Sequence, residues 1–131
     1  LTDGSVDSIG TDHAPHTLAE KQQDMLTAPF GIANLEVTFP LLYTRLVLEG
    51  TLPLERLLWL LQDGPAKVMG WPAPRLAAGA PADVTVVDLE TETPVDGARF
   101  KTKAKHNPWQ GELLRGWPVA TLVAGRPVHR G

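Results

Sequence analysis

The sequence predicts an α/β chain in which helices come first and strands come last. Apolar side chains recur at helical spacing through much of the first half, whereas the second half contains short segments rich in β-branched residues. Between the two patterns, residues 70–82 consist mainly of Gly, Ala and Pro. We expect this seam to separate two units, residues 1–72 and residues 73–131.

The first predicted helix covers residues 35–49, "LEVTFPLLYTRLVLE". Asn34 suits the N-cap of this helix, and Gly50 suits the position just past its end. Pro40 lies inside the pattern and leaves two outcomes open, because a proline either kinks a helix or marks its true start.

The second predicted helix covers residues 51–65, "TLPLERLLWLLQDGP". Thr51 is expected to cap it, Pro53 to occupy its first turn, and the Gly64-Pro65 pair to end it. Its side chains are apolar nearly all round, so we expect it to be covered on more than one side. A short turn of helix, "PAKVMG", is expected next.

Three segments are predicted as strands: residues 5–11, 83–89 and 119–125. The last of them begins a closing hairpin that we expect to turn at Gly125-Arg126. Because an independent sheet usually needs three or more strands with an apolar face, we expect other structure to complete the sheet of the second unit.

The composition excludes several functional classes. The 131 residues are 43% hydrophobic and 21% charged, with a net charge of -3, which is typical of a globular domain and too mild to indicate a nucleic-acid or membrane partner. The chain has no Cys, so disulfide and thiol chemistry are absent. No signal-peptide or membrane-span pattern occurs, and we expect a cytoplasmic location.

Because the sequence begins at Leu1 and enters a strand pattern almost at once, we expect a piece of a longer chain.

One basic segment, "FKTKAKHNPW", alternates Lys101, Lys103 and Lys105 beside Phe100 and Trp109. Such a pattern is compatible with a nucleic-acid-binding face that stacks bases on aromatic side chains. The negative net charge favours the alternative, a strand with one solvated face.

The stretch "IGTDHAPH" brings together the residues best suited to chemistry. Asp12 follows the first predicted strand, and a carboxylate at a strand end is suited to bind a divalent metal or to act as a general base. His13 and His16 follow closely, although an Asp-His pair at a loop entrance also serves as a simple turn or capping network. These residues do not complete a catalytic zinc site, which takes three protein ligands and a water.

We expect His106 and His129 to be surface or packing residues. No phosphate-binding glycine loop or nucleophile elbow is present.

The motif "TDHAPHTLAEK" followed by "APFGIANLEVTFPLLYT" resembles the C-terminal part of the catalytic barrel of class I dihydroorotases, which are amidohydrolases. The later pieces "QDGPAKVMGW", "AAGAPADVTVVDL" and "FKTKAKHNPWQGELLRGWPVATLVAGRPV" resemble the closing segment of the same family, in the same order. The resemblance implies the C-terminal part of a (β/α)8 amidohydrolase barrel followed by part of a small β-sandwich domain. It also implies the reversible cyclisation of N-carbamoyl-L-aspartate to L-dihydroorotate in pyrimidine biosynthesis.

The resemblance assigns roles to particular residues. Asp12 corresponds to the barrel Asp that binds zinc and shuttles the proton, and His16 to a His that helps hold the substrate carboxylate. Phe30 and Gly31 correspond to a loop that contacts the dihydropyrimidine ring, whereas His13 has no assigned ligand role and is expected to be structural. One or two zinc ions are implied, with the remaining ligands outside this chain.

Some family features are changed or absent. Asn34 stands where the family often has Gly, and Gly64-Pro65 where it often has Asn-Pro; both changes lie at helix boundaries. The family's H-x-H-x-R segment, its bridging Lys or Asp, its two middle His ligands and its carboxylate-binding Asn have no counterpart here, so we expect this chain to be inactive alone.

Three other readings stay open: a non-catalytic scaffold for aspartate carbamoyltransferase, a related cyclic amidase such as an allantoinase or hydantoinase, and a free-standing binding module. The partners implied are the small-molecule substrate and, as further possibilities, a second copy of the chain or the carbamoyltransferase.

Overall fold

Helices fill the first half of the chain and antiparallel strands the second, in a computed structural model that describes residues 1–131. This order confirms the α/β class. No helix is long and apolar enough to cross a membrane. The four α-helices are α1 (Leu18–Lys21), α2 (Thr38–Leu42), α3 (Leu54–Leu61) and α4 (Asp63–Met69). The five strands are β1 (Val84–Asp88), β2 (Thr93–Pro94), β3 (Leu113–Leu114), β4 (Trp117–Val123) and β5 (Arg126–Arg130).

The predicted helix at 35–49 is a helical segment in which three helix types follow one another. A 3-10 turn at Leu35–Val37 leads into α2, and a π-helical turn at Tyr43–Val47 follows. Pro40 is buried in the first turn of α2, where a missing N–H is tolerated, so this proline marks the start of the α-helix. Asn34 occupies the expected N-cap position, but its side chain makes no capping hydrogen bond.

The predicted helix at 51–65 is two helices, and the expected end at Gly64-Pro65 is wrong. The chain breaks at Gln62 (φ -127°, ψ -74°), and Gly64 and Pro65 lie in the first turn of α4. Backbone N–H groups in a first turn have no partner within the helix, so a proline there removes no helical bond. Pro53, and not Thr51, occupies the N-cap position of α3.

The predicted strand at 5–11 is wrong, because no neighbouring strand pairs along its length. The segment runs instead against α3 and α4. Ile9 N–H donates to Leu60 O at 3.0 Å. A Cβ at Gly64 would lie 1.9 Å from Asp7 O, so only glycine permits this close approach.

Three strands form one antiparallel sheet in the order β1-β4-β5, and β2 and β3 form a separate pair. The hairpin between β4 and β5 turns at Ala124 and Gly125, which have φ of 48° and 74°. Two positive φ values are the requirement of a type I′ turn, the two-residue connection that matches strand twist. The expected turn at Gly125-Arg126 is therefore displaced by one residue.

The basic segment is solvated as expected, but its placement on a strand is wrong. Its three lysines are exposed, and they lie in an irregular stretch before β3. The aromatic residues at its ends turn inward: Phe100 is buried, and Trp109 packs against the core.

Two hydrophobic clusters hold the chain together. Tyr43, Leu52, Leu57 and Leu60 form one of them, within the helical half. The other joins the two halves, since it combines one helical side chain with three from beyond residue 72: Val37, Val95, Phe100 and Leu114.

Replacing Leu114 with Ala should destabilise the chain by about 2–5 kcal/mol, because Leu114 is fully buried and its loss leaves a cavity. The neighbouring Leu113 is 58% exposed and provides the matched control, with an expected loss below about 0.5 kcal/mol. Urea unfolding of both variants measures the difference. Equal losses would mean that this cluster is not a core.

Candidate functional site

Asp12 lies at the entrance of a loop that runs to residue 31. Its side chain is exposed, and its φ of 46° is uncommon for a residue other than glycine. Asp tolerates this left-handed conformation better than most residues, and the bend ends the extended segment that packs on α3. The carboxylate is therefore open to the solvent.

The neighbouring His13 is tied to the start of the helical segment. Its Nδ1 accepts the backbone N–H groups of Asn34 and Leu35, each at 3.1 Å. The Asn34 amide in turn donates to Thr11 O, on the residue before Asp12. The Oδ1 atom of Asn34 also lies 3.3 Å from His13 Nδ1. His13 and the Asn34 side chain together tie the backbone on both sides of Asp12 to the start of the helical segment.

His16 lies directly before the N-cap of α1, Thr17. Thr17 and Glu20 form a capping box around α1, and the Glu20 carboxylate lies 3.7 Å from His16 Nδ1. Hydrogen bonds from the Thr17 hydroxyl and backbone N–H lower the pKa of Glu20, and His16 adds to the effect. Because the folded-state pKa is lowered, the capping box is complete at neutral pH and is lost as the pH falls through that pKa.

The far end of the loop returns to His16. Ala14 N–H donates to Ile32 O at 3.2 Å, which closes the loop. A Cβ at Gly31 would lie 2.4 Å from Ala14 O and 3.0 Å from His16 Cδ2. Gly31 has a φ of 127°, so both its conformation and its surroundings require glycine. The Phe30 side chain is 96% exposed.

Lys21, which the sequence analysis did not single out, holds residues 29–31 in place. Lys21 Nζ donates to Pro29 O at 2.9 Å and to Gly31 O at 3.1 Å. No sequence pattern pairs a helical lysine with carbonyl groups eight and ten residues later, so this contact was missed. It orients the backbone of the segment that carries Phe30.

Residues 102–104 form the opposite wall of a cavity of about 230 Å³ beside His16. The cavity is lined by Pro15, His16, Thr17, Leu18, Thr102, Lys103 and Ala104. The structure therefore adds the segment before β3 to the surroundings of the loop, a proximity that sequence separation concealed.

The two remaining histidines lie apart from Asp12. His106 is exposed and lines a second cavity, of about 340 Å³, whereas His129 is in β5 with Nε2 3.3 Å from Pro118 O. No group of three His, Asp or Glu side chains in the chain is arranged to hold a metal ion. The chain by itself therefore supplies no complete metal centre.

No protein-family model matches the chain. Curated relatives match it closely: the dihydroorotase of Deinococcus radiodurans is 58% identical over 99% of this chain and 31% of its own length. The dihydroorotase of Thermus aquaticus is 54% identical over 98% of this chain and 30% of its own length. The chain thus spans less than a third of the curated relatives that it matches.

Solved structures of hydantoinases share the fold. The L-hydantoinase of Arthrobacter aurescens has a TM-score of 0.89 and 34% identity, over 98% of this chain and 30% of that one. The D-hydantoinase of a Thermus species has a TM-score of 0.86 and 28% identity, over 98% of this chain and 29% of that one. The chain therefore shares the fold of about 30% of each of these amidohydrolases. Its sequence is homologous to the matching segment of dihydroorotases along almost its whole length.

Replacing Gly31 with Ala should open the loop, because the new Cβ would overlap Ala14 O. We expect hydrogen exchange at Ala14 N–H to become at least about fivefold faster, as a strain of about 1–3 kcal/mol weakens its bond to Ile32 O. Gly50 is the matched control, since its φ is also positive, at 76°, but no atom lies within 4 Å of its Cβ position. Unchanged protection of Ala14 in the Gly31→Ala chain would contradict this description of the loop.

Proposed function

We propose that this chain forms one wall of the active site of a zinc-dependent dihydroorotase, which interconverts N-carbamoyl-L-aspartate and L-dihydroorotate in pyrimidine biosynthesis. The observation that carries the proposal is the loop in which Asp12 is exposed at one end and Gly31 returns to His16 at the other. The 58% identity to a dihydroorotase supports the choice of reaction.

Each residue has a part in the proposed reaction. Bound zinc would supply a water of lowered pKa as the nucleophile that opens the ring amide. Asp12 is the carboxylate that holds the metal, accepts the proton of the attacking water and returns it to the leaving nitrogen. His16 donates a hydrogen bond to the substrate carboxylate, and the backbone at Phe30 and Gly31 faces the dihydropyrimidine ring.

The proposed architecture follows from the similarity to dihydroorotases. Residues 1–72 would belong to the C-terminal part of a (β/α)8 barrel, and residues 73–131 to part of a β-sandwich domain. Other ligands of the one or two zinc ions would come from parts of the barrel other than this chain. A cytoplasmic location, a homodimer and contact with aspartate carbamoyltransferase are further elements of the proposal, and they rest on the resemblance alone.

A second candidate is a hydantoinase-like cyclic amidase, because the L-hydantoinase fold matches with a TM-score of 0.89. That reaction would use Asp12 in the same way but would need no grip on a substrate carboxylate. The two candidates therefore differ in what His16 contributes.

A hybrid enzyme provides the test, in which this chain replaces the matching segment of the Deinococcus radiodurans dihydroorotase. In this hybrid, Asp12→Asn should lower kcat for dihydroorotate by several orders of magnitude, because an amide neither accepts the proton nor ligates zinc as a carboxylate does. Steady-state assays at saturating zinc measure the loss.

Asp7→Asn is the matched control, since Asp7 is also exposed on the same extended segment and pairs only at 4.0 Å with Lys67. It should leave kcat within about twofold, as an exposed ion pair contributes little. Near-normal turnover by the Asp12→Asn hybrid would remove Asp12 from the mechanism.

His16→Ala in the hybrid should raise KM for dihydroorotate by about 10- to 100-fold, the range expected for one lost hydrogen bond to a charged group. The kcat should fall much less, because the carboxylate is not the reacting group. If KM were unchanged while a 5-substituted hydantoin was the better substrate, the hydantoinase-like candidate would replace the dihydroorotase.

A further inference from the structure

The segment before β3 reaches the His16 loop at Lys103. This residue lines the cavity of about 230 Å³ that His16 also lines, and it lines the adjoining cavity of about 340 Å³. Leu18 is the other residue shared by the two cavities. Lys103 is therefore the cationic residue that borders both cavities, one of which the His16 loop also lines.

The backbone just before Lys103 is fixed by the helical half of the chain. Glu36, in the 3-10 turn before α2, accepts the N–H of Lys101 at 2.8 Å through Oε2 and that of Thr102 at 2.9 Å through Oε1. Ala104 follows Lys103 and is buried. Lys103 thus sits between two anchored positions, which restricts where its side chain reaches.

The lysines of this segment differ in their surroundings. Lys105 Nζ donates to Phe100 O within the segment. Lys101 lines neither of the two cavities, although its backbone N–H is bound to Glu36. Lys103 alone of the three borders both the His16 loop and the larger cavity.

The charge around these cavities opposes that of the whole chain. The net charge is -3, yet the cavity linings contain the cationic residues Lys103 and Lys105 and no carboxylate. Two carboxylates lie just outside the linings, and both are hydrogen-bonded. Glu20, 3.7 Å from His16 Nδ1, accepts from the Thr17 hydroxyl and N–H, and Glu36 accepts the N–H groups of Lys101 and Thr102. A positive field in a partly enclosed cleft attracts anions and raises their local concentration.

We infer that Lys103, which lines the same cavity as His16, is a specificity-determining residue whose positive charge favours a carboxylated cyclic amide over a neutral one. This inference rests on the proposed function and extends it, because it assigns part of the selection for an anionic substrate to a residue that lies outside the His16 loop. Lys103 acts on binding and approach of the substrate and takes no part in bond cleavage.

The test compares Lys103→Met, Lys103→Arg and Lys101→Met in the hybrid enzyme. Lys103→Met should lower kcat/KM for dihydroorotate by about fivefold to tenfold at low ionic strength, mainly by raising KM. The difference in kcat/KM between this variant and the unsubstituted hybrid should become smaller as salt is added. Lys103→Arg should retain most of the activity. Lys101→Met, a neighbouring loss of the same charge, should behave like the unsubstituted hybrid.

Dihydrouracil, a ring without the carboxylate, shows whether the effect concerns charge. Its kcat/KM should be unchanged by Lys103→Met, whereas equal losses for both substrates would indicate a merely structural role and overturn the inference. If the hybrid is active and Lys103→Met leaves its kcat/KM for dihydroorotate unchanged, the role of Lys103 is overturned and the proposed function is not. A folded, zinc-loaded hybrid that turns over neither substrate would overturn the proposed function and this inference together.

Discussion

The start of the helical segment at Leu35 is the point on which the rest of the site depends. Backbone N–H groups at a helix start have no partner within the helix, and leaving them unpaired is costly. His13 Nδ1 accepts two of them, from Asn34 and Leu35, at 3.1 Å each. The next residue, Glu36, accepts two N–H groups from the segment before β3. A single helix end therefore joins the Asp12 bend to the distant half of the chain.

This arrangement explains why residues far apart in sequence share one cleft. Val37, next to Glu36, is fully buried in the cluster that contains Leu114, so apolar packing supports the polar contacts. The loop between Asp12 and Gly31 is then held at both ends, and its middle is stiffened by α1. Loops on such a rigid scaffold are where binding and catalytic groups are usually found.

Local patterns predicted much of the fold, and long-range contacts account for what they missed. The β4-β5 hairpin and the helix at Leu54–Leu61 follow from β-branched and helical periodicity, which act over a few residues. The strand expected at 5–11 fails because a strand requires a neighbour, which no local pattern specifies. Of the site, the Asp12 motif was visible in the sequence, whereas Glu36 binds partners 65 and 66 residues away and gave no signal.

The most direct test of the central claim is a crystal structure of the zinc-loaded hybrid enzyme with dihydroorotate bound. The account predicts an Asp12 carboxylate oxygen at about 2.0–2.2 Å from zinc and His16 within hydrogen-bond distance of the substrate carboxylate. It also predicts that His13 Nδ1 still accepts the N–H groups at the helix start. A metal centre completed without Asp12, with the substrate away from His16, would contradict the account.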